Sequence, residues 1–342
     1  MKAWLLHRIS NLDEVTHPLE LAEMPVPEPK DFEIRIKISC CGICHTELDE
    51  IEGRTPPEKY PIVPGHQVVG LVDKCGKGSK NFKNGDRVGV AWIFSACGQC
   101  EFCLVGLENL CPDFMGTGRD KNGGYAQFMV VDERFAYRIP SRFSDVEAAP
   151  LLCAGAIGYR SLNLTGIADG QTLGLTGFGA SGHLVLKMAR HQYPNSPLFV
   201  FARSKEEQAF AMDLGASWAG KVTDTAPKKL NAIIDTTPVW TTSIESLLQL
   251  KPGGRLVINA IRKESDDQEA LMHISYRDHL WMEKEIKTVA NITRSDVEEF
   301  LSLAASIPII PTVETYPFSK ANEAILDLKQ KHVKGAKVLL CR

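Results

Sequence analysis

The sequence predicts an α/β protein of two domains, a β-barrel-like unit over residues 1–150 followed by a doubly wound parallel sheet from residue 151. Three observations carry this. Short strand-like runs bounded by turn residues fill the first part. Strand and helix patterns alternate in the second. Gly177-Phe178-Gly179-Ala180-Ser181-Gly182 falls where a strand pattern gives way to a helix pattern.

In chain order, Pro25, Pro27 and Pro29 break the chain before Ile34-Arg35-Ile36-Lys37-Ile38, whose apolar–polar alternation predicts a half-buried strand. Val68–Val72 and Arg87–Val90 are further short strands. Asn84-Gly85-Asp86 and Asn122-Gly123-Gly124 are turn signals. Ala148 to Leu164 reads as one helix with Pro150 near its start. Then follow a strand at Thr172–Thr176, a helix at Gly182–His191, a strand at Leu198–Phe201 and a helix at Lys205–Leu214 ended by Gly215. Strands are expected at Leu230–Asp235 and Arg255–Ile258. From about Asp296 the pattern is helix, a strand near Val313, helix, and a last strand at Lys337–Leu340.

At 342 residues the chain suits two domains, at about 150 residues each. It is 44% hydrophobic and 24% charged, with a net charge of −3 and no dominant basic cluster. Nucleic acid is therefore not expected as a partner. No apolar run approaches the roughly 20 residues of a membrane span. Met1–Asn11 lacks the apolar core of an export signal, so a cytoplasmic protein is expected.

Ten cysteines are many for such a chain, and clustered cysteines without an export signal point to metal. Cys97, Cys100 and Cys103 form two C-x-x-C steps, and Cys111 follows a short loop later. Four thiolates give a closed tetrahedral zinc site with no place for substrate. An iron–sulfur cluster takes the same ligands, but the chain offers a hydride-carrier motif rather than an electron-transfer site. Cys44, His66 and Cys153 form a second set. Two thiolates and an imidazole suit zinc, and three protein ligands leave a position open, as in a catalytic site. Cys41 could compete with Cys44. Cys40, Cys75 and Cys341 read as buried small hydrophobes.

Each glycine of the fingerprint has a task. Gly177 permits the tight turn, Gly179 lets the backbone approach a pyrophosphate, and Gly182 lets helix and strand pack closely. The free N–H groups opening the helix then face the anion. NAD sites place an acid about 20 residues on, at the end of the next strand. Here that end reads Ala202-Arg203-Ser204-Lys205. Arg203, helped by Ser204 and Lys205, fits the 2′-phosphate of NADP, with NAD still possible.

Gly42-Ile43-Cys44-His45-Thr46, Pro64-Gly65-His66, the four-cysteine loop, Leu152-Cys153-Ala154-Gly155 and the glycine fingerprint occur together and in order. In this the chain resembles the zinc-dependent medium-chain alcohol dehydrogenases over essentially its full length, closest to the short microbial branch. The Cys44–His66–Cys153 donor set is itself the one known for alcohol dehydrogenase, so it is recognised as much as derived.

The resemblance implies a GroES-like catalytic domain, residues 1–150 completed by 293–342, and a Rossmann domain over 151–292. It implies two zinc ions per chain, a small alcohol or aldehyde as substrate, and a homodimer or homotetramer. Thr46 would bond the substrate oxygen and open a proton relay, with Asp49 at the position of the relay's terminal histidine. His45 and Lys337 would contact the cofactor pyrophosphate, and Trp92 and Thr55 would wall the substrate pocket.

Further residues depart from the family's pattern. Gln67 stands where an acid usually follows the ligand histidine, and Glu47 replaces the outer Asp that orients it. A cinnamyl-alcohol-type or polyol dehydrogenase would share these motifs. A non-catalytic nucleotide-binding redox sensor would not need the open metal site, and neither would a zinc-free quinone reductase.

Overall fold

The structure, a computed structural model, describes residues 1–307, 309–330 and 335–341, the side chain of Ala180 excepted. It divides into two units, Met1–Ala156 with Asn291–Arg342, and Ile157–Ala290. The joins expected from sequence lay at 150/151 and 292/293.

The first unit is built on a seven-stranded sheet. Its spine is the strand Glu33–Ile43, paired antiparallel with Gln67–Cys75 on one side and with Ala336–Leu340 on the other. The predicted alternation holds at the start of this strand, where Ile34, Ile36 and Ile38 are buried while Lys37 is exposed. From Ile38 to Ile43 every residue is buried, because both faces are covered there. The strand runs into the short helix His45–Ile51, so Cys44 sits at the junction as that helix's N-cap.

Gln67 is hydrogen-bond register partner to Gly42. A Cβ at Gly42 would lie 2.4 Å from the Gln67 side-chain oxygen, so the glycine lets the ligand-bearing segments close on each other. Gly65 adopts φ +97, and a Cβ there would meet the Tyr125 ring at 2.4 Å. Only glycine suits that left-handed, crowded position, and it turns His66 inward.

The expected helix over 148–164 is three pieces. An α-turn Asp145–Ala148, opened by a Ser144 capping box, passes into a 3₁₀ segment Ala149–Leu152. Cys153 then leaves helical geometry (φ −127, ψ −76) before the helix Ala154–Thr165 begins. Pro150 cannot supply the N–H of a continuous helix, and the break places the Cys153 sulfur off the helix face.

The second unit is one six-stranded, wholly parallel sheet. Its strands, in chain order, are Leu173–Thr176, Leu198–Phe201, Trp218–Gly220, Leu230–Asp235, Leu250–Ile258 and Glu285–Thr288. In space they stand third, second, first, fourth, fifth, sixth, the doubly wound order of dinucleotide-binding domains. The first two strands are buried at every residue, as strands covered on both faces must be. Among the described residues no helix is long and apolar enough to cross a membrane.

Candidate functional site

Within the first unit the ligand atoms of Cys44, His66 and Cys153 lie within 4.8 Å of one another. Cys44 Sγ is 3.7 Å from His66 Nε2. Tetrahedral zinc, with bonds of about 2.0–2.3 Å to nitrogen and sulfur, sets such donors roughly 3.6–3.8 Å apart. The spacing and the donor chemistry therefore fit a zinc ion. Cys41, the possible competitor, is fully buried, with its thiol directed to the Gly42 carbonyl.

Glu47 organises the set. The residue is fully buried; its Oε2 accepts the Cys44 backbone N–H at 2.8 Å, and its Oε1 is 2.6 Å from His66 Nδ1. With Nδ1 so engaged, Nε2 is the nitrogen left to face a metal. Burial alone would push the His66 imidazole down, but Glu47 and the Cys44 sulfur outweigh it and hold it well above its ordinary range. The Cys153 sulfur beside it, and then burial, push the Cys44 thiol far up. A divalent cation among these donors reverses the Cys44 shift, because a coordinated thiol loses its proton.

Thr46 Oγ1 lies 3.4 Å from Cys44 Sγ, at the edge of the same cluster. Asp49 is buried and ion-paired with Arg54, whose Nε donates to its Oδ1. His45 is exposed on the first turn of the helix. Thr55 is half-buried, and its hydroxyl has no hydrogen-bond partner among the described residues. Trp92, also half-buried, packs on Phe114 at 5.4 Å, and the Arg119 guanidinium lies 5.1 Å over its ring.

Lys337 departs from expectation. It is 1% exposed, its ammonium donates to Glu314 and to the Tyr316 hydroxyl, and it lies over the Tyr316 ring. The last strand pairs between Val313–Pro317 and the spine strand, and this buries the residue that sequence had offered to a pyrophosphate.

The sulfurs of Cys97, Cys100, Cys103 and Cys111 form the second cluster, again within 4.8 Å of one another. Cys97 Sγ and Cys103 Sγ are 3.9 Å apart. Backbone N–H groups of Gln99 and Cys100 aim at the Cys97 sulfur and lower its thiol to about 7, whereas burial raises Cys103 to about 12. Such N–H···S contacts favour thiolate, the form a metal needs.

In the second unit each fingerprint glycine has a visible reason. Gly177 has φ +81. A Cβ at Gly179 would meet nothing within 4 Å, so its backbone is open to a ligand. A Cβ at Gly182 would come within 2.6 Å of the Gly177 carbonyl oxygen. Among the described residues no side chain caps the helix Ala180–Gln192, which leaves its first N–H groups for an anion. The side chain of Ala180 lies outside the described residues, Phe178 is buried and Ser181 half-buried. Arg203 is exposed at the end of the second strand. Ser204 caps the next helix, accepting the Glu207 N–H at 3.1 Å, and Lys205 Nζ donates to Gln208.

Sequence reasoning missed three features. Asp235, ending the fourth strand, is fully buried and bonds Lys263 Nζ at 2.8 Å, with Ser243 and Thr237 completing the network. Arg119 reaches Trp92 across the loop between them. Glu50 is 1% exposed on the Glu47 helix. Only Glu50 left a signal, since it follows Glu47 by three residues.

Residues 30–141 match the alcohol dehydrogenase GroES-like domain. The chain is 39% identical to the probable alcohol dehydrogenase AdhA of Mycobacterium tuberculosis, over 99% of this chain and 97% of that protein. It is 33% identical to an alcohol dehydrogenase of Geobacillus stearothermophilus, over 96% of this chain and 97% of that one. Among solved structures, a cinnamyl alcohol dehydrogenase of Sorghum bicolor superposes with a TM-score of 0.84 at 28% identity, covering 99% of this chain and 97% of that chain.

Proposed function

Since the chain belongs to the zinc-type medium-chain alcohol dehydrogenases, and is thus a nicotinamide-dependent oxidoreductase of small alcohols or aldehydes, we propose that it works as an NADPH-dependent aldehyde reductase. A catalytic zinc is held by Cys44, His66 and Cys153, and a structural zinc by Cys97, Cys100, Cys103 and Cys111. The observation that carries this reading is the open three-donor cluster with Glu47 fixing its histidine. The exposed Arg203, with no carboxylate at its strand end, supports NADP.

When bound, zinc supplies Lewis acidity to the substrate oxygen and NADPH supplies the hydride. The chain's own residues do the rest. Cys44 and Cys153 hold the site as thiolates, and Glu47 keeps His66 Nε2 facing it. Thr46 gives the proton that turns the reduced carbonyl oxygen into a hydroxyl. Thr46 must then be resupplied with a proton; Asp49 is already engaged by the Arg54 guanidinium, which favours a relay that draws that proton from water.

The half-buried Trp92–Phe114 pair and the small Thr55 favour aromatic or bulky aldehydes. Likeness to the sorghum enzyme supports the cinnamyl-type variant of this reading. Initial rates with acetaldehyde, benzaldehyde and cinnamaldehyde, each with NADPH and NADH, test it. Equal efficiency with both cofactors would remove the NADP claim, and a preference for acetaldehyde would remove the pocket claim.

The edge strand Glu285–Thr288 is exposed at all four residues, and we assign it to edge-to-edge pairing in a homodimer, or a homotetramer made of two. Light scattering that finds a monomer would overturn this.

A further inference from the structure

Glu50 is a buried acid that the reaction above does not use. It follows Glu47 by three residues on the helix His45–Ile51, so the two carboxylates share a face, and Glu47 shows that face to be turned toward His66. Glu50 is 1% exposed, and its Oε1 has no hydrogen-bond partner among the described residues. A buried carboxylate oxygen without a partner calls for a counter-charge.

Burial first, then Glu47 and Cys44, push the Glu50 carboxyl well above the usual carboxylate range, while His66 and Arg119 pull it the other way. Both attracting groups are already engaged. His66 faces Glu47, and Arg119 donates through Nε and Nη2 to Asp120. Neither is therefore free to pair with Glu50. Gln67, next to the ligand histidine, is neutral.

We propose that Glu50 is a positioning residue of the metal centre. As a divalent cation binds, the Glu50 carboxyl gives up its proton to solvent, and from outside the three ligands the resulting charge strengthens their hold on the ion. The proposal rests on the reading that Cys44, His66 and Cys153 bind the ion.

The test uses the whole protein loaded with Co²⁺ and titrated with a competing chelator. Wild type is expected to hold two ions per chain, the three-donor site yielding first. Glu50→Gln, nearly isosteric, should release that first ion at about ten- to hundredfold lower chelator and shift its visible absorption bands. The four-cysteine ion should stay as tightly held as in wild type. Glu50→Asp should fall between the two, as a carboxylate set back by one methylene; if Glu50→Gln does not fold, Glu50→Asp decides alone. A first ion held equally or more tightly in the variant, with unchanged bands, overturns the role of Glu50 and leaves the triad standing. A wild type that binds a single cobalt ion overturns both.

Discussion

One oxygen of Glu47 stands 2.6 Å from His66 Nδ1 while the other takes the backbone N–H of Cys44 at 2.8 Å. One side chain thus caps a helix and orients two ligands of the same cluster. Glu47→Gln should keep an acceptor for the Cys44 N–H but lose the charge on His66. Zinc retention at the three-donor site is expected to fall about 10- to 100-fold with little change in unfolding temperature. Glu47→Ala should lose the cap as well and cost roughly 1 kcal/mol more. Chelator competition and thermal unfolding on the two variants separate the effects.

Cys153→Ser removes one of the three donors without touching the four-cysteine loop. On the proposed two-zinc reading, metal content should drop from two zinc ions per chain to one. Turnover should fall by at least about a thousandfold, since Lewis-acid stabilisation of several kcal/mol is lost. A variant that keeps both ions and most of its rate would place catalysis elsewhere.

Arg203→Asp should raise the KM for NADPH about ten- to a hundredfold, the worth of one or two charge-assisted bonds to a phosphate. The KM for NADH should stay level or improve. Equal changes in both would show that Arg203 is a solvated charge.

In protein stripped of metal by chelation, iodoacetamide should label Cys97 first. Its thiol sits at about 7, because Gln99 and Cys100 donate backbone N–H bonds to the sulfur, whereas burial holds Cys103 at about 12. A lowered folded value means thiolate above it and thiol below it, so labelling should rise through half-maximum near pH 7 and fade as pH drops beneath that. Zinc added beforehand should block it. Mass mapping that finds Cys103 labelled first would contradict the geometry.

Lys263→Met should leave Asp235 buried without its cation. Breaking such a pair costs about 3–5 kcal/mol, and near 2–4 °C per kcal/mol for domains of this size the unfolding temperature should fall by roughly 10 °C. The double variant with Asp235→Asn should recover part of the loss, because the two residues act as one unit.

What sequence alone determined is what short-range geometry encodes. The two C-x-x-C steps curl within one loop, the glycines sit where a strand turns into a helix, and the β-α alternation requires a parallel sheet. Each depends on spacings of a few residues or on backbone preference. Only the tertiary structure decided whether Cys44, His66 and Cys153 meet, since that depends on the pairing of the Gly42 strand with the Gln67 strand and on the helix break at Cys153. It also withdrew Lys337 into the sheet and placed Glu50 and Asp235 in the interior. Burial is a property of what packs against a residue from far along the chain, and charge that reads as solvated in sequence becomes consequential once water is gone.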